Sequence, residues 1–407
     1  MQESILVNLQ RSYPKLADEN SCTACMACIS ACNHNALSKR LGEDGHFYVE
    51  LNNEKCLKCK ACEHVCPAVN ESESYENNLC ETLPYKGWNK EEEYRTNGTS
   101  GGVFPAIAQS IIKQGGVVVG AYMEHNDCYH RIVECIEELP LLQGSKYIYS
   151  DMEGIHKKIA SYLREGRLVL FSGLPCQVAG VNSFFKENKN KHLLYTVDLV
   201  CGGIPSMLLK NSFLSQNPDV DILSFRTKHI YELKCVQYGN IKNYGKRNLL
   251  IYGYLSGLTN RNSCYNCKYS RAHRGANITL GDYWQKNSVN NKGVSLILCH
   301  NERGRELLFS SVVQIESVEW INFLYYNSRI VVGTTPWKNR WEHRSLAFIM
   351  KKCPKYFQNV LYASDIKKYD VFGIMYLVYK KIRFIFEYKR RLAQIDEILK
   401  KNSEIHS

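Results

Sequence analysis

The sequence predicts a small α+β N-terminal domain, then an α/β domain with an α+β portion, then a helical C-terminal tail. Three observations carry that prediction. Cysteine-dense, turn-rich sequence is confined to residues 1 to about 70; helix-period and strand-period segments alternate from Asn97; beyond about residue 340 the chain is basic and helix-like. With 407 residues the chain is long enough for two or three domains and at least one sizeable core.

Residues 1–70 contain an internal repeat. Cys22, Cys25, Cys28 and Cys32 set a spacing that Cys56, Cys59, Cys62 and Cys66 repeat, with Pro67 after the last. Matching runs are expected of a duplicated half-domain. Two-residue gaps let a tight loop wrap three thiolates round one iron–sulfur cube, while the fourth arrives from elsewhere. In two-cluster ferredoxins the fourth cysteine of each run serves the other cluster. The pattern therefore predicts a ferredoxin-like domain with two 4Fe-4S clusters, one on Cys22, Cys25, Cys28 and Cys66, the other on Cys32, Cys56, Cys59 and Cys62. Structural zinc sites usually show two CxxC pairs at wider separation. Asn33 stands where proline commonly follows the fourth cysteine, which bears on the local turn more than on ligation. Residues 71–97 are polar and acidic, with Pro84, and read as a linker.

The next region, residues 98–340, opens on a Gly-rich turn, Asn97-Gly98-Thr99-Ser100-Gly101-Gly102, before the helix-like VFPAIAQSIIKQGG and the apolar VVVGAY. A helix-like stretch at 151–165, LVLFSG at 168–173, a helix after Pro175 and the strand-like LLYTVDLV at 193–200 continue the alternation. Beyond Asp221 the strands shorten. Glycines let backbone approach a phosphate, and helix N-terminal amides hold an anion, so the 97–102 turn is a candidate dinucleotide site. Such turns before helices are also common without a ligand. The Gly144-Ser145-Lys146-Tyr147 turn adds a cation and an aromatic ring.

Four further cysteines sit where strand ends gather ligands. Cys176 follows a strand at a turn into a helix, Cys201 follows another strand, and Cys264 and Cys267 form a CxxC in an Arg- and Tyr-rich loop. Placement is compatible with a third 4Fe-4S cluster, and equally with two buried thiols and half a zinc site. Cys80, Cys128, Cys135, Cys235, Cys299 and Cys353 stand singly and read as packing residues. His34, His64, His125, His130 and His273 read as solvated or structural.

Composition narrows the class. Eighteen cysteines in a chain this long fit reduced thiols, many of them metal ligands, in a cytoplasm. Met1–Lys15 carries Glu3, Asn8, Gln10 and Arg11 where a signal peptide needs an apolar run. The formal charge is +12, but each cube with four thiolates nets about −2, so three clusters lower it to about +6. Basic residues are dispersed rather than interleaved with aromatics, which argues against nucleic acid, and the remaining positive charge fits an acidic redox partner or an anionic surface. In the tail, 341–407, Lys380, Lys381, Arg383, Lys389, Arg390 and Arg391 surround Ile382, Phe384, Ile385 and Phe386. That pattern reads as a helix packed on the domain with a solvated basic face, or as a peripheral contact with an anionic membrane.

Taken in order, the two cysteine runs, SGGVF, GSKY, SGLPCQVAG, VDLVCGG and CYNCKYSRAHRGANITLGDYW resemble the coenzyme F420 hydrogenase/dehydrogenase beta-subunit family behind a ferredoxin domain. The resemblance covers residues 20 to about 310. It implies FAD against Thr99, Ser100, Gly101 and Gly102, with Lys146 and Gln177 nearby, and a third cluster on Cys176, Cys201, Cys264 and Cys267. Asp282 and Trp284 match the family's Gly-Asp-x-Trp without an assigned role. Leu174 departs from the threonine often found there and puts a polar contact in doubt. The function so implied is an iron–sulfur flavoprotein oxidoreductase linking a ferredoxin, deazaflavin or nicotinamide donor to an acceptor. The competing reading is a non-catalytic electron-transfer subunit docking on a catalytic partner.

Overall fold

The computed structural model describes residues 12–70, 81–228, 230–245, 248–257, 259–271, 274–284, 292–324, 326–327, 329–332, 389 and 392–400. The N-terminal region is the small α+β unit expected. Strands β1 (Leu37–Leu41) and β2 (Phe47–Leu51) pair antiparallel, with Leu37 opposite Leu51 and Leu41 opposite Phe47. A one-turn helix stands within each cysteine run, Ala27–Ala31 in the first and Ala61–His64 in the second.

The remainder is built on one large mixed sheet. Its strands are β3 (Leu83–Asn89), β4 (Val117–Glu124), β5 (Asp127–Val133), β6 (Ser150–Asp151), β7 (Val169–Gly173), β8 (Leu194–Leu199), β12 (Ile278–Asp282), β13 (Ser295–Cys299) and β14 (Val313–Ser317). Their order is β14-β3-β13-β12-β8-β7-β4-β5-β6. The neighbours β12, β8, β7 and β4 are parallel, and antiparallel strands flank them. Parallel strands covered on both faces read as unbroken apolar runs, which is why Val117–Val119 and Val169–Phe171 are wholly buried. One face carries the helices Val103–Lys113 and Glu302–Phe309; the other carries Ile155–Arg164 and Pro175–Phe184. A separate three-stranded sheet, β9 (Val220–Ser224), β10 (Leu233–Gln237) and β11 (Asn240–Tyr244), packs with the helices Met207–Gln216 and Leu249–Ser256 and supplies the α+β portion.

One expectation changes. Residues 83–97 are not linker: β3 is an interior strand between β13 and β14, and Glu92–Asn97 is helical. Their polarity misled because β3 fully buries only alternate residues, Tyr85, Gly87 and Asn89, while Pro84, Lys86 and Trp88 are half-buried and Leu83 is exposed. Residues 71–80 lie outside the described residues, as do Cys80, Cys353, His273 and the basic tail segment 371–388. Of the tail, 392–400 is helical, and Ile395 is buried with Tyr283, Leu298 and Phe323. Among the described residues no helix is long and apolar enough to cross a membrane.

Candidate metal centres and pocket

Each N-terminal run curls by taking the left-handed backbone region twice, at Ala24 and Met26 in the first and at Lys58 and Lys60 in the second. These turns are unusual for residues other than glycine and bring cysteines two residues apart to one centre. Cys22, Cys25, Cys28 and Cys66 come together, and each thiolate would raise the pKa of its neighbours. Burial is the larger effect and pushes the Cys25 thiol up to about 12. Cys62 is likewise raised by burial, then by Cys32 and Cys59, and Cys32, Cys56, Cys59 and Cys62 line one small cavity under Leu37 and Leu51. Both sets are therefore the groupings that ferredoxin crossover predicts.

Cys176, Cys201, Cys264 and Cys267 also converge, although 91 residues separate the first from the last. Burial drives the Cys176 thiol well above its usual range, with Cys267, Cys201, Cys264 and then Cys25 adding to it. Cys176 is the second residue of Pro175–Phe184, Cys201 follows β8, and Cys264 lies in the one-turn helix Asn262–Tyr265. Arg274, fully buried, fixes the CxxC loop by pairing with the buried Asp198 of β8 at 3.3 Å and donating to the Leu199 and Ser270 carbonyls. Cys25 belongs to the first set, so the first and third sets adjoin. Gly180 permits this: a Cβ there would stand 2.7 Å from Cys25 Sγ.

The donor sets suit iron–sulfur cubes. Each is all thiol, the soft ligand that such clusters take. Among the described residues no three His, Cys, Asp or Glu close on a single ion-sized site. A cube carries its ligands on four separate irons, so the thiols around it stand wider apart than those on one zinc.

At the third set the parallel strands end, and a pocket of about 540 Å³ opens there. β4 contributes Gly120 and Ala121, β7 Ser172 and Gly173, β12 Leu280 to Asp282, and the chain beyond β8 Val200 to Ile204, including Cys201. Gly102 and Val103 line it at the start of Val103–Lys113, a helix whose N-terminus has no side-chain cap. Gly102 has φ 73, and its missing Cβ would lie 2.8 Å from the Tyr94 carbonyl, so this turn requires glycine. Tyr147 stacks on Tyr254 with centroids 4.0 Å apart. Arg226 grips Asp282 with both guanidinium nitrogens, at 2.8 and 2.9 Å, and donates to Thr99 O. Burial disfavours its charge, but the Asp282 carboxylate outweighs that and holds the guanidinium protonated.

Of the predicted pocket residues, Thr99, Ser100, Gly102, Lys146 and Gln177 line this space. Gly101 does not. Its N–H donates to Ser295 Oγ, and a Cβ would lie 2.6 Å from the Gly87 carbonyl, so it lets the loop press on the sheet. Lys146 Nζ donates to the Leu142 and Gln143 carbonyls, and burial pushes it down to about 8. Gln177 Oε1 accepts from Leu174 N, and Nε2 donates to Ser150 O. With Leu174 lacking a hydroxyl, Gln177 caps the helix from inside. Asp282 and Trp284 both reach the pocket. Sequence reading noted Tyr147 as the aromatic ring of its turn but missed Arg226, Tyr231 and Tyr254; an arginine just past a strand, in ILSFRT, was the signal available. His130 is structural, between Ser150 Oγ and the Ser172 carbonyl. Cys128, Cys235 and Cys299 are buried, whereas Cys135 is exposed rather than packed.

Comparison with known proteins fits this geometry. Residues 166–320 match the family described as the C terminus of the coenzyme F420 hydrogenase/dehydrogenase beta subunit, and residues 21–70 match the 4Fe-4S dicluster domain. Residues 166–320 thus carry the C-terminal domain of this beta-subunit family, with a dicluster domain ahead of it at 21–70. It is an iron–sulfur electron-transfer protein of that oxidoreductase type. Curated relatives match over short stretches of the chain. Ketoisovalerate oxidoreductase subunit VorC of Methanothermobacter marburgensis is 36% identical over 67 residues, 16% of this chain and 84% of that protein. Ferredoxin-type protein NapF of Escherichia coli is 44% identical over 46 residues, 11% of this chain and 27% of that one. Among solved structures, a chain of the F420-reducing NiFe hydrogenase complex from Methanosarcina barkeri aligns with a TM-score of 0.45 at 13% identity, over 68% of this chain and 90% of that one.

Proposed function

We propose that this beta-subunit relative is a flavoprotein oxidoreductase in which three 4Fe-4S clusters connect a pocket holding FAD to an outside redox partner. The observation that carries this reading is a continuous file of thiols. Cys201 lines the pocket and stands with Cys176, Cys176 neighbours Cys25, and Cys66 of the Cys25 set comes from the run that supplies the next set. The ligands are Cys22, Cys25, Cys28 and Cys66; Cys32, Cys56, Cys59 and Cys62; and Cys176, Cys201, Cys264 and Cys267.

A bound flavin supplies exchange between a hydride and single electrons. The chain's own residues prepare its place. The uncapped helix start at Gly102 and Val103 offers amides and a dipole to phosphate. Lys146, its pKa pushed down by burial to about 8, brings an amine to the wall. Tyr147 and Tyr254 give an aromatic face for a planar ring. Arg226, held by Asp282 and bonded to Thr99 O, ties the small sheet to the glycine turn across the pocket.

Anaerobic purification with iron, sulfide, zinc and flavin measured on one sample tests this. About twelve irons and one FAD per chain are expected, with about four irons lost in C201S. About eight irons, zinc and no flavin would overturn the third cluster and the flavin together. The relatives' description as subunits supports a second reading, electron transfer without catalysis. Turnover of a nicotinamide or deazaflavin donor with an artificial acceptor by the isolated chain excludes it.

A further inference from the structure

We propose that the second cysteine run is the docking port for an electron-carrier protein whose own redox centre is ringed by acidic residues. The inference rests on the cluster relay proposed above and names where it meets the outside.

The repeat supplies an internal control. Positions between ligands in the first run are Thr23, Ala24, Met26 and Ala27, and the last three are at most 2% exposed. The corresponding positions in the second run are Leu57, Lys58, Lys60 and Ala61, where Leu57 is 62% exposed and Lys60 is at the surface. Of the eight N-terminal cysteines, Cys59 alone is exposed. Lys58 and Lys60 occupy the same left-handed positions as Ala24 and Met26, so the fold of the loop does not call for lysine there. Lys15 and Lys55 are also exposed nearby, and Lys58 Nζ lies 4.4 Å from the ring centroid of Tyr13, itself 45% exposed. The acidic neighbours are Glu54, Glu63, which accepts from Lys15 N at 2.9 Å, and Glu187, which stands 3.3 Å from His64.

The chemistry explains the lysines. A cube with four thiolates is an anion, and so is the cluster of a carrier, so two such centres repel as they approach. Lysines around Cys59 offset that repulsion and attract an acidic rim, while Leu57 and Tyr13 give the contact an apolar centre. Each encounter moves one electron: the carrier's cluster is oxidised by one, the second-run cluster is reduced by one, and no bond or proton changes hands.

The test uses the full iron-loaded chain and a small acidic 4Fe-4S ferredoxin as probe. Affinity is measured by surface plasmon resonance and electron transfer by stopped flow, for K55E/K58E/K60E and for a control with equal charge change elsewhere, K113E/K234E/K242E. The port variant should weaken binding and slow transfer by about tenfold or more, with iron content unchanged, and the wild-type rate should fall as salt rises. Equal losses in the two variants, or none in either, overturn the proposal. A chain that loads no iron at the second run removes the relay and the port with it; that failure is visible before any probe is added.

Discussion

The two N-terminal cysteine runs share a spacing, a pair of left-handed turns and a one-turn helix, yet one is interior and the other is surface. Ala24 and Met26 belong to the same core cluster as Val119, Phe171 and Val178 of the large domain. Tyr149 donates to Ala24 O at 3.1 Å, and Ser263 donates to Cys22 O at 2.9 Å, so the first run is bonded into the domain that holds the third set. Among the described residues the second run has no such cover over Leu57 and Cys59. The difference separates two demands on a cluster loop. Ligand spacing answers to the cube, whereas the residues between the ligands answer to whatever lies outside it.

The largest way to break the comparison is to remove one ligand from each run. C25S should lose about four irons and also lower Tm and soluble yield, because it empties a site inside the shared core. C59S should lose a similar amount of iron with a much smaller change in Tm. Equal thermal losses in the two variants would mean that the runs do not differ in what they hold together.

The third set depends on a buried ion pair rather than on a compact run, so its weak point lies outside the ligands. D198N takes away the carboxylate opposite Arg274 at a site where both side chains are at most 1% exposed. Losing one partner of such a pair costs about 3–5 kcal/mol, or roughly five degrees in Tm for a chain of this length. Calorimetry on D198N checks this, with iron content reporting whether the CxxC loop slips. A Tm within about two degrees of wild type would show that carbonyl acceptors, those of Leu199 and Ser270 among them, suffice to hold Arg274.

How much of this was legible in the sequence follows the same division. The eight N-terminal cysteines could be grouped from spacing, because a compact run sets locally which thiols meet. Cys176, Cys201, Cys264 and Cys267 could only be suspected: their meeting depends on β7, β8 and the loop before β12 ending at one rim, a tertiary fact that no local spacing encodes. The alternation of Val117–Val119 and Val169–Phe171 with helices gave away the parallel centre. β3 hid inside an apparent linker because LPYKGWN has no clear polar–apolar alternation, carries both proline and glycine, and is followed by the acidic KEEEY. The pocket's Gly102, Lys146 and Gln177 were readable as types, but Arg226 was not, since its partner Asp282 lies 56 residues away and on a different sheet. The depth of the two runs was invisible for the same reason.

Gly180 sharpens the comparison with a smaller effect. It lies in Pro175–Phe184, where a Cβ would meet Cys25 Sγ at 2.7 Å and Cys25 Cβ at 2.8 Å. Alanine gains about 1 kcal/mol of helix propensity, but the overlap costs about 1–3 kcal/mol, so G180A should be mildly destabilising. Its distinctive sign is local. Electron paramagnetic resonance of the first-run cluster should shift, while the second-run signal stays unchanged. A stabilised variant with both signals intact would mean that the helix and the first run sit further apart.

The smallest effect is a pH dependence, and it also divides the runs. His156 is fully buried, packs on Phe184 and shares a 3.3 Å contact from Nδ1 to Ser30 Oγ beside the first run. Burial, with a minor contribution from His130, pushes its pKa down to about 3. The folded state therefore keeps the ring neutral, while the unfolded chain takes a proton near 6.5. The unfolded state binds more protons in that window, so stability is present above pH 6.5 and is lost as pH falls towards 3. His130, down to about 4, and His300, down to about 3, act in the same direction, each adding up to ~1.4 kcal/mol per pH unit. His64 of the second run is 66% exposed and pairs with Glu187 at the surface. On acidification, amide protection should fall in residues 24–31 before it changes in 58–64. H156Q should flatten the acid slope by about one histidine's share. An unchanged slope would place the acid sensitivity in His130 and His300 and remove His156 from what holds the first run in place.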